Sequence, residues 1–157
     1  MPPRIVTLAE RPDLMGTVAY WQWREWGRQR GRRLASVLRE LEDLADPTGA
    51  DAGFVLLDDG IPVATACLTA LDLDTRPDLS PWLASVFVAA PHRCRGHASR
   101  LVRAVEAAAM ARGHAMLWLF TWTTVPLYAR LGWNVVGAEQ HHGSMVTLMR
   151  RDLPAAR

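Results

Sequence analysis

A chain of 157 residues has the length of one domain with one core, because folded domains typically run to about 100–200 residues. Its composition, 50% hydrophobic and 22% charged, suits an ordered globular protein and excludes a disordered or fibrous one. A net charge of +2 gives no footprint for nucleic acid, and no run approaches the roughly 18–20 uncharged apolar residues that a membrane span needs. The start Met1-Pro2-Pro3-Arg4 lacks the apolar run of a signal peptide, so a cytoplasmic location is expected. Cys67 and Cys94 lie far apart, which excludes a disulfide framework or a cysteine zinc site. Every basic residue is arginine.

In chain order, residues 4–8 read as a short strand. Arg11-Pro12-Asp13 then opens a helix that Asp13 caps, with Leu14, Val18, Trp21 and Glu25 or Trp26 on its inner stripe. Residues 27–33 break it. A second helix carries Leu34, Val37, Leu38, Leu41 and Leu44 on one stripe and closes at Asp46-Pro47. Residues 53–57 and 62–71 are two antiparallel strands joined by Asp58-Asp59-Gly60, and residues 72–81, with two prolines and three aspartates, form a loop. Residues 82–88 are again a strand.

From Ala98 the period becomes helical: Ala98, Leu101, Val102, Val105, Ala108 and Ala109 face inward, while Arg100, Arg103 and Glu106 point outward. Gly113 ends this helix. Residues 114–121, nearly all apolar, read as a fully buried strand parallel to the previous one. Residues 125–131 form a short helix stopped by Gly132, and residues 133–138 and 144–149 make a closing pair of strands around His141-His142-Gly143. The expected order is β-α-α-β-β-β-α-β-α-β-β: an α/β fold (α+β in some schemes) with a mixed, mostly antiparallel central sheet, and one domain over residues 1–157.

The stretch from Val88 through Ala89-Ala90-Pro91-His92-Arg93-Cys94-Arg95-Gly96-His97-Ala98-Ser99-Arg100 to Leu101 passes from strand to small-residue turn to amphipathic helix. The first N–H groups of a helix have no intrahelical partner, so an anion such as a polyphosphate is stabilised there. Gly96 and Ala98 keep side chains off the backbone, while Arg93, Arg95 and Ser99 add donors. From these residues alone, an ordinary turn with solvated arginines remains the alternative.

Arg93-x-x-Gly96-x-Ala98 resembles the Q/R-x-x-G-x-G/A signature of the GNAT superfamily of N-acetyltransferases. Val125-Pro126-Leu127-Tyr128-Ala129-Arg130-Leu131-Gly132-Trp133 resembles that family's late Y-x-x-x-G-F/W block, in the right order. The resemblance implies that acetyl-CoA is the cosubstrate and that no metal takes part. It implies that Val86, Phe87 and Val88 offer backbone groups to the pantetheine arm. A backbone N–H near Phe87 would polarise the thioester. Arg93, Cys94, Arg95, Gly96, His97, Ala98 and Ser99 would hold the pyrophosphate. It further implies that a bulge splays this strand from the next to admit the acceptor amine. Tyr128 then serves the departing thiolate, because a phenol with pKa near 10 hydrogen-bonds or protonates sulfur.

The base that takes the amine's proton is left open among Glu25, Asp72, Asp74, His141 and His142. The acceptor, a primary amine on a small molecule or a protein, is also left open. The alternative is a non-catalytic acyl-CoA-binding module. Homodimerisation through the closing strands is expected by analogy. Two departures stand out. Cys94 and His97 replace the glycine and small or apolar residues usual in the family's loop, and Thr121, Thr123 and Thr124 stand near where an asparagine is common.

Other features point elsewhere only weakly. Trp21, Trp23 and Trp26 crowd one helix, where core packing is favoured over a substrate-contacting wall. The arginines at 24, 28, 30, 32 and 33 are followed by Glu40, Glu42 and Asp43, which argues against nucleic acid. Cys94 needs no nucleophilic role beside a phosphate cradle. His141 and His142, adjacent in a turn, are expected to point apart and to bind no metal.

Overall fold

The computed structural model describes residues 1–155. Strand β1 (Arg4–Thr7) leads to helices α1 (Met15–Gln22) and α2 (Leu34–Leu44), then to strands β2 (Ala52–Asp58), β3 (Ile61–Thr69) and β4 (Trp82–Val88). Helix α3 (His97–Ala111), strand β5 (Met116–Thr121), helix α4 (Val125–Arg130) and strands β6 (Asn134–His141) and β7 (Ser144–Asp152) complete it. This is the expected order. The strands form one mixed sheet, β1-β2-β3-β4-β5-β7-β6. β1 with β2, β5 with β7 and β6 with β7 pair antiparallel, and β4 with β5 parallel. Chain contacts divide into two units, Met1–Cys67 with Ser85–Ala104 and Leu68–Ala84 with Val105–Arg157.

In the first unit, β2 and β3 are joined by Asp59 and Gly60 at φ +52 and +78. Such a two-residue turn admits only antiparallel neighbours. Leu8, Val18, Leu41, Val55, Val63 and Leu101 are fully buried here. Asp13 does not cap a helix. Its carboxylate takes two hydrogen bonds from Arg11, at 2.9 and 2.8 Å, and the chain enters α1 through a 3-10 turn at Pro12–Leu14. On α2 only Val37, Leu41 and Leu44 are buried, and Leu34 and Leu38 lie exposed at the border of the expected stripe. The break after α1 is a π-helical turn, Trp23–Gly27, a 3-10 turn, Arg28–Arg30, and Gly31 at φ +69. The wider π turn puts Trp26 out of phase with α1, and Trp21, Trp23 and Trp26 are each half-buried rather than core residues.

In the second unit, Leu73, Trp82, Val146 and Leu148 form a buried cluster against Leu79, Trp118 and Phe120. β5 is not buried on both faces. Leu117, Leu119 and Thr121 are covered, whereas Met116, Trp118 and Phe120 alternate as half-buried. Aromatic bulk explains the continuous apolar run: Phe120 meets Trp82 edge-on at 6.2 Å, and the Arg150 guanidinium lies 5.7 Å from the Trp118 ring. Glu106 does not point outward. Its side chain is 7% exposed and accepts a hydrogen bond from Arg151 Nε at 3.2 Å, so the burial is balanced by charge.

The closing hairpin turns at His142 and Gly143, at φ +48 and +81. A register shift lies between Val135 and Gly137, and on this edge strand Val135 and Val136 are exposed. Arg76 pairs with Asp78 and Glu139, tying the loop at residues 72–81 to β6. Among the described residues, no helix is long and apolar enough to cross a membrane.

Candidate active site

The strand that leads into the cradle is irregular. Ser85, in the middle of β4, stands at φ +55, a conformation that costs on the order of 1 kcal/mol for a residue with a side chain. Pairing of β4 to β5 is confined to Trp82 opposite Trp118, with the Trp118 N–H donating to Pro81 O at 3.1 Å. Past the kink, the half-buried Phe87 ring packs 5.5 Å from Trp21.

The turn after β4 is fixed by its own hydrogen bonds. Ala89 N–H donates to Val63 O at 2.9 Å, and His92 N–H closes a 3-10 turn onto Ala89 O at 2.8 Å. Arg93 Nε donates to Val88 O at 2.9 Å, and its guanidinium carbon sits 6.0 Å from the Phe87 ring. The arginine is therefore anchored through one nitrogen, with its terminal nitrogens beyond that bond.

Cys94 and Gly96 follow at φ +63 and +80. A Cβ built on Gly96 meets nothing within 4 Å, so this glycine is required by backbone conformation rather than by crowding. The intrahelical ladder of α3 begins with Arg100 N–H to Gly96 O at 3.2 Å, which leaves the N–H groups of His97, Ala98 and Ser99 ahead of it. Arg93, Cys94, Arg95 and Gly96 are exposed, and Ala98 and Ser99 are half-buried. Leu101, Val102, Val105 and Ala109 anchor the helix further along. Each fully buried leucine or valine contributes about 1.5–3 kcal/mol, so the first turn is held from its C-terminal side and stays open to an anion.

His97 belongs to this turn in sequence but not to its exposed surface. It is 4% exposed, neither ring nitrogen makes a hydrogen bond, and Nε2 lies 3.8 Å from Asp58 Oδ2. Its backbone remains part of the cradle while its side chain packs inward.

Tyr128 sits on α4 in the second unit. Pro126 occupies the first turn, where no N–H is needed. The turn before the helix is made by threonines: Thr124 N–H donates to Thr121 Oγ1 at 3.1 Å, and the two hydroxyls lie 2.6 Å apart. The Tyr128 ring is buried, with the Trp133 ring centroid 6.2 Å away. Desolvation pushes its phenol up to about 12, against a smaller opposing effect of the Thr124 hydrogen bond. The phenol is therefore protonated throughout the neutral range.

The base candidates separate by environment. Glu25, Asp74 and His142 are exposed. Asp72 is half-buried, and desolvation first and the Asp74 charge second raise its carboxyl to about 7. His141 is buried among Phe120 at 4.8 Å and Trp122 at 5.6 Å. Its ring lies 4.1 Å from that of His142, so the two do not point apart; the left-handed turn at His142 folds one ring over the other. Among the described residues, no three histidine, cysteine or acidic side chains are grouped to hold a metal.

Two contacts escaped the sequence. The Arg93 bond to Val88 O has no signature in residue type. The Glu106 pair with Arg151 had one: Glu106 falls between Val102 and Ala109 on the buried stripe, where a carboxylate requires a partner.

A family model described as the acetyltransferase (GNAT) family matches residues 12–133. Solved structures share the fold at low identity. An aminoglycoside 6'-acetyltransferase type Ii has 17% identity and a TM-score of 0.76 over 98% of this chain and 99% of that one. An aminoglycoside 6'-N-acetyltransferase complexed with coenzyme A has 15% identity and a TM-score of 0.75 over 98% and 99%. An N-acetyltransferase from Staphylococcus aureus Mu50 has 16% identity and a TM-score of 0.76 over 98% and 100%. No curated protein matches the chain by sequence.

Proposed function

We infer that this chain, which belongs to the acetyltransferase (GNAT) family, is an enzyme that moves an acetyl group from acetyl-CoA to a primary amine by direct attack in a ternary complex. The amine is carried on a small molecule or a peptide. The observation that carries this reading is the open first turn of α3, entered through Cys94 and Gly96 at φ +63 and +80 with Arg93 anchored to Val88 O; the buried phenol of Tyr128 supplies an acid, and Asp72, raised by desolvation, a base.

In this reading the pyrophosphate of acetyl-CoA lies on the N–H groups that open α3, with Arg93, Arg95 and Ser99 as charge-assisted or hydroxyl donors. The positive φ values at Cys94 and Gly96, and the anchoring of Arg93 to Val88 O, support it because they fix the turn before the cofactor arrives. Backbone groups of Val86, Phe87 and Val88 take the pantetheine arm, past the point where β4 pairs with β5. Coenzyme A in a solved neighbour with this fold supports the choice of cosubstrate.

The ammonium first gives up its extra proton to water; as the amine's lone pair then forms the C–N bond, Asp72 takes the second proton from nitrogen and returns it to solvent. The carbonyl oxygen of the tetrahedral centre is met by a backbone N–H near Phe87. As the C–S bond breaks, the thiolate takes its proton from Tyr128, and solvent restores the phenol. The products are the N-acetyl amide and free CoA thiol. No metal has a role. Homodimerisation through the closing hairpin is part of the same proposal, supported by the exposed Val135, Val136 and Met145.

The test is a thiol-release assay with a panel of amines that includes an aminoglycoside, a polyamine and a peptide with a free N-terminus. Wild type is expected to release thiol only when an acceptor is present, and Tyr128→Phe to lower kcat roughly a hundredfold. CoA binding without acceptor-dependent release would favour the non-catalytic module.

A further inference from the structure

Gly132, four residues after Tyr128, ends α4 at φ +93, and the space a side chain would need is filled by the Arg151 guanidinium. The Gly132 carbonyl accepts a hydrogen bond from Arg151 Nη1 at 3.1 Å. Arg151 Nε donates in turn to Glu106 Oε1 at 3.2 Å, on the buried stripe of α3. The backbone around Tyr128 is tied into this same end of the helix. Tyr128 O accepts from Leu131 N–H and Trp133 N–H, both at 3.0 Å, and Gly132 N–H donates to Ala129 O at 3.1 Å. Glu106, Arg151, Gly132 and Tyr128 all lie in the second unit.

From this chain of contacts we propose that Arg151 is a positioning residue for Tyr128: its guanidinium braces the C-terminal end of α4 against Glu106 and so fixes where the phenol stands. A six-residue helix is too short to hold its own geometry in water, so its orientation comes from what grips its ends. Pro126 and the Thr121–Thr124 hydroxyl pair grip the first end. Arg151 grips the other, with a planar fork that holds a carbonyl and a carboxylate in fixed geometry, which the single flexible ammonium of a lysine matches only in part. A misplacement of about 1 Å costs a reacting group on the order of a hundredfold in rate, so the brace acts on kcat without touching substrate.

The inference rests on Tyr128 being the acid, and the test separates the two. The chain has 2 tyrosines, so in a Tyr20→Phe background the phenolate absorbance reports Tyr128 alone. In that background Arg151→Met is expected to move the titration midpoint down, toward the ordinary phenol value of about 10, as water reaches the loosened ring. It should lower kcat at least tenfold while leaving KM for acetyl-CoA within twofold. Arg151→Lys should recover part of the loss.

In a Tyr128→Phe background, Arg151→Met should cost nothing further, because the two residues then act as one unit. If Arg151→Met does not fold, Glu106→Gln keeps the shape of the pair, removes its charge, and should move both readouts in the same direction. An unchanged titration midpoint, or an equal loss of kcat with and without Tyr128, would overturn the brace. A Tyr128→Phe enzyme with full kcat would overturn the acid instead, and the titration would still decide whether Arg151 orders the ring.

Discussion

Tyr128 and Asp72 are moved in the same direction by the same cause, yet the consequence differs because their ordinary values differ. Burial raises a phenol out of the working range, so it always has a proton to give, and raises a carboxyl into that range, so that above about 7 it is ionised and can take one from the amine. The kcat/KM of wild type is therefore expected to climb with pH through about 7 and then level off, with no alkaline fall from Tyr128 below about pH 11. Asp72→Asn should abolish the climb and lower the plateau by roughly 10²–10⁴-fold.

Stability moves the other way. The folded state holds the Asp72 proton more tightly than the unfolded chain does, so this group's contribution is complete below the unfolded value and lost as pH rises through 7. Urea midpoints should show Asp72→Asn more stabilised relative to wild type at about pH 8 than at about pH 5. At this scale the sequence supplied Asp72 as one of five bases but could not rank them. Desolvation depends on what the fold packs around a carboxyl, which the residues next to Asp72 in sequence do not show.

At the level of elements, local patterning worked where one face decides the outcome and failed where long side chains or ion pairs do. The two hairpin turns, the stop at Gly132 and the open first turn of α3 were readable, because positive φ and orphan N–H groups are local requirements. The identity of the partner of Glu106 and the alternate burial of β5 were not. Arg151 and Arg150 cover a carboxylate and an indole from β7, and no window around either residue contains the partner. Gly132 makes this testable without enzymology. Gly132→Ala meets both a positive φ and the Arg151 guanidinium, so it should cost at least about 1–3 kcal/mol in chemical denaturation. Gly96→Ala meets only the positive φ and should cost less, at the lower end of that range.

For the whole chain, the element order and the mixed sheet were legible because each strand and helix announces itself and short connections leave few topologies. The short pairing of β4 with β5 was expected only through the family resemblance, and the positive φ of Ser85 was not legible, since nothing in the serine's surroundings in sequence demands it. The proposed dimer belongs to this scale. Sedimentation equilibrium should give twice the chain mass for wild type and the single mass for Val136→Arg, which puts a charge on the exposed stretch of β6.

Transfer of the acetyl group to the amine is the step that isotope labelling reads directly. With acetyl-CoA carrying a labelled carbonyl carbon and an acceptor amine found in the panel, the label should appear in an amide on the acceptor, one for each thiol released. Thiol released with the label recovered only as free acetate, or acetyl-CoA bound and never consumed with any amine, would contradict it.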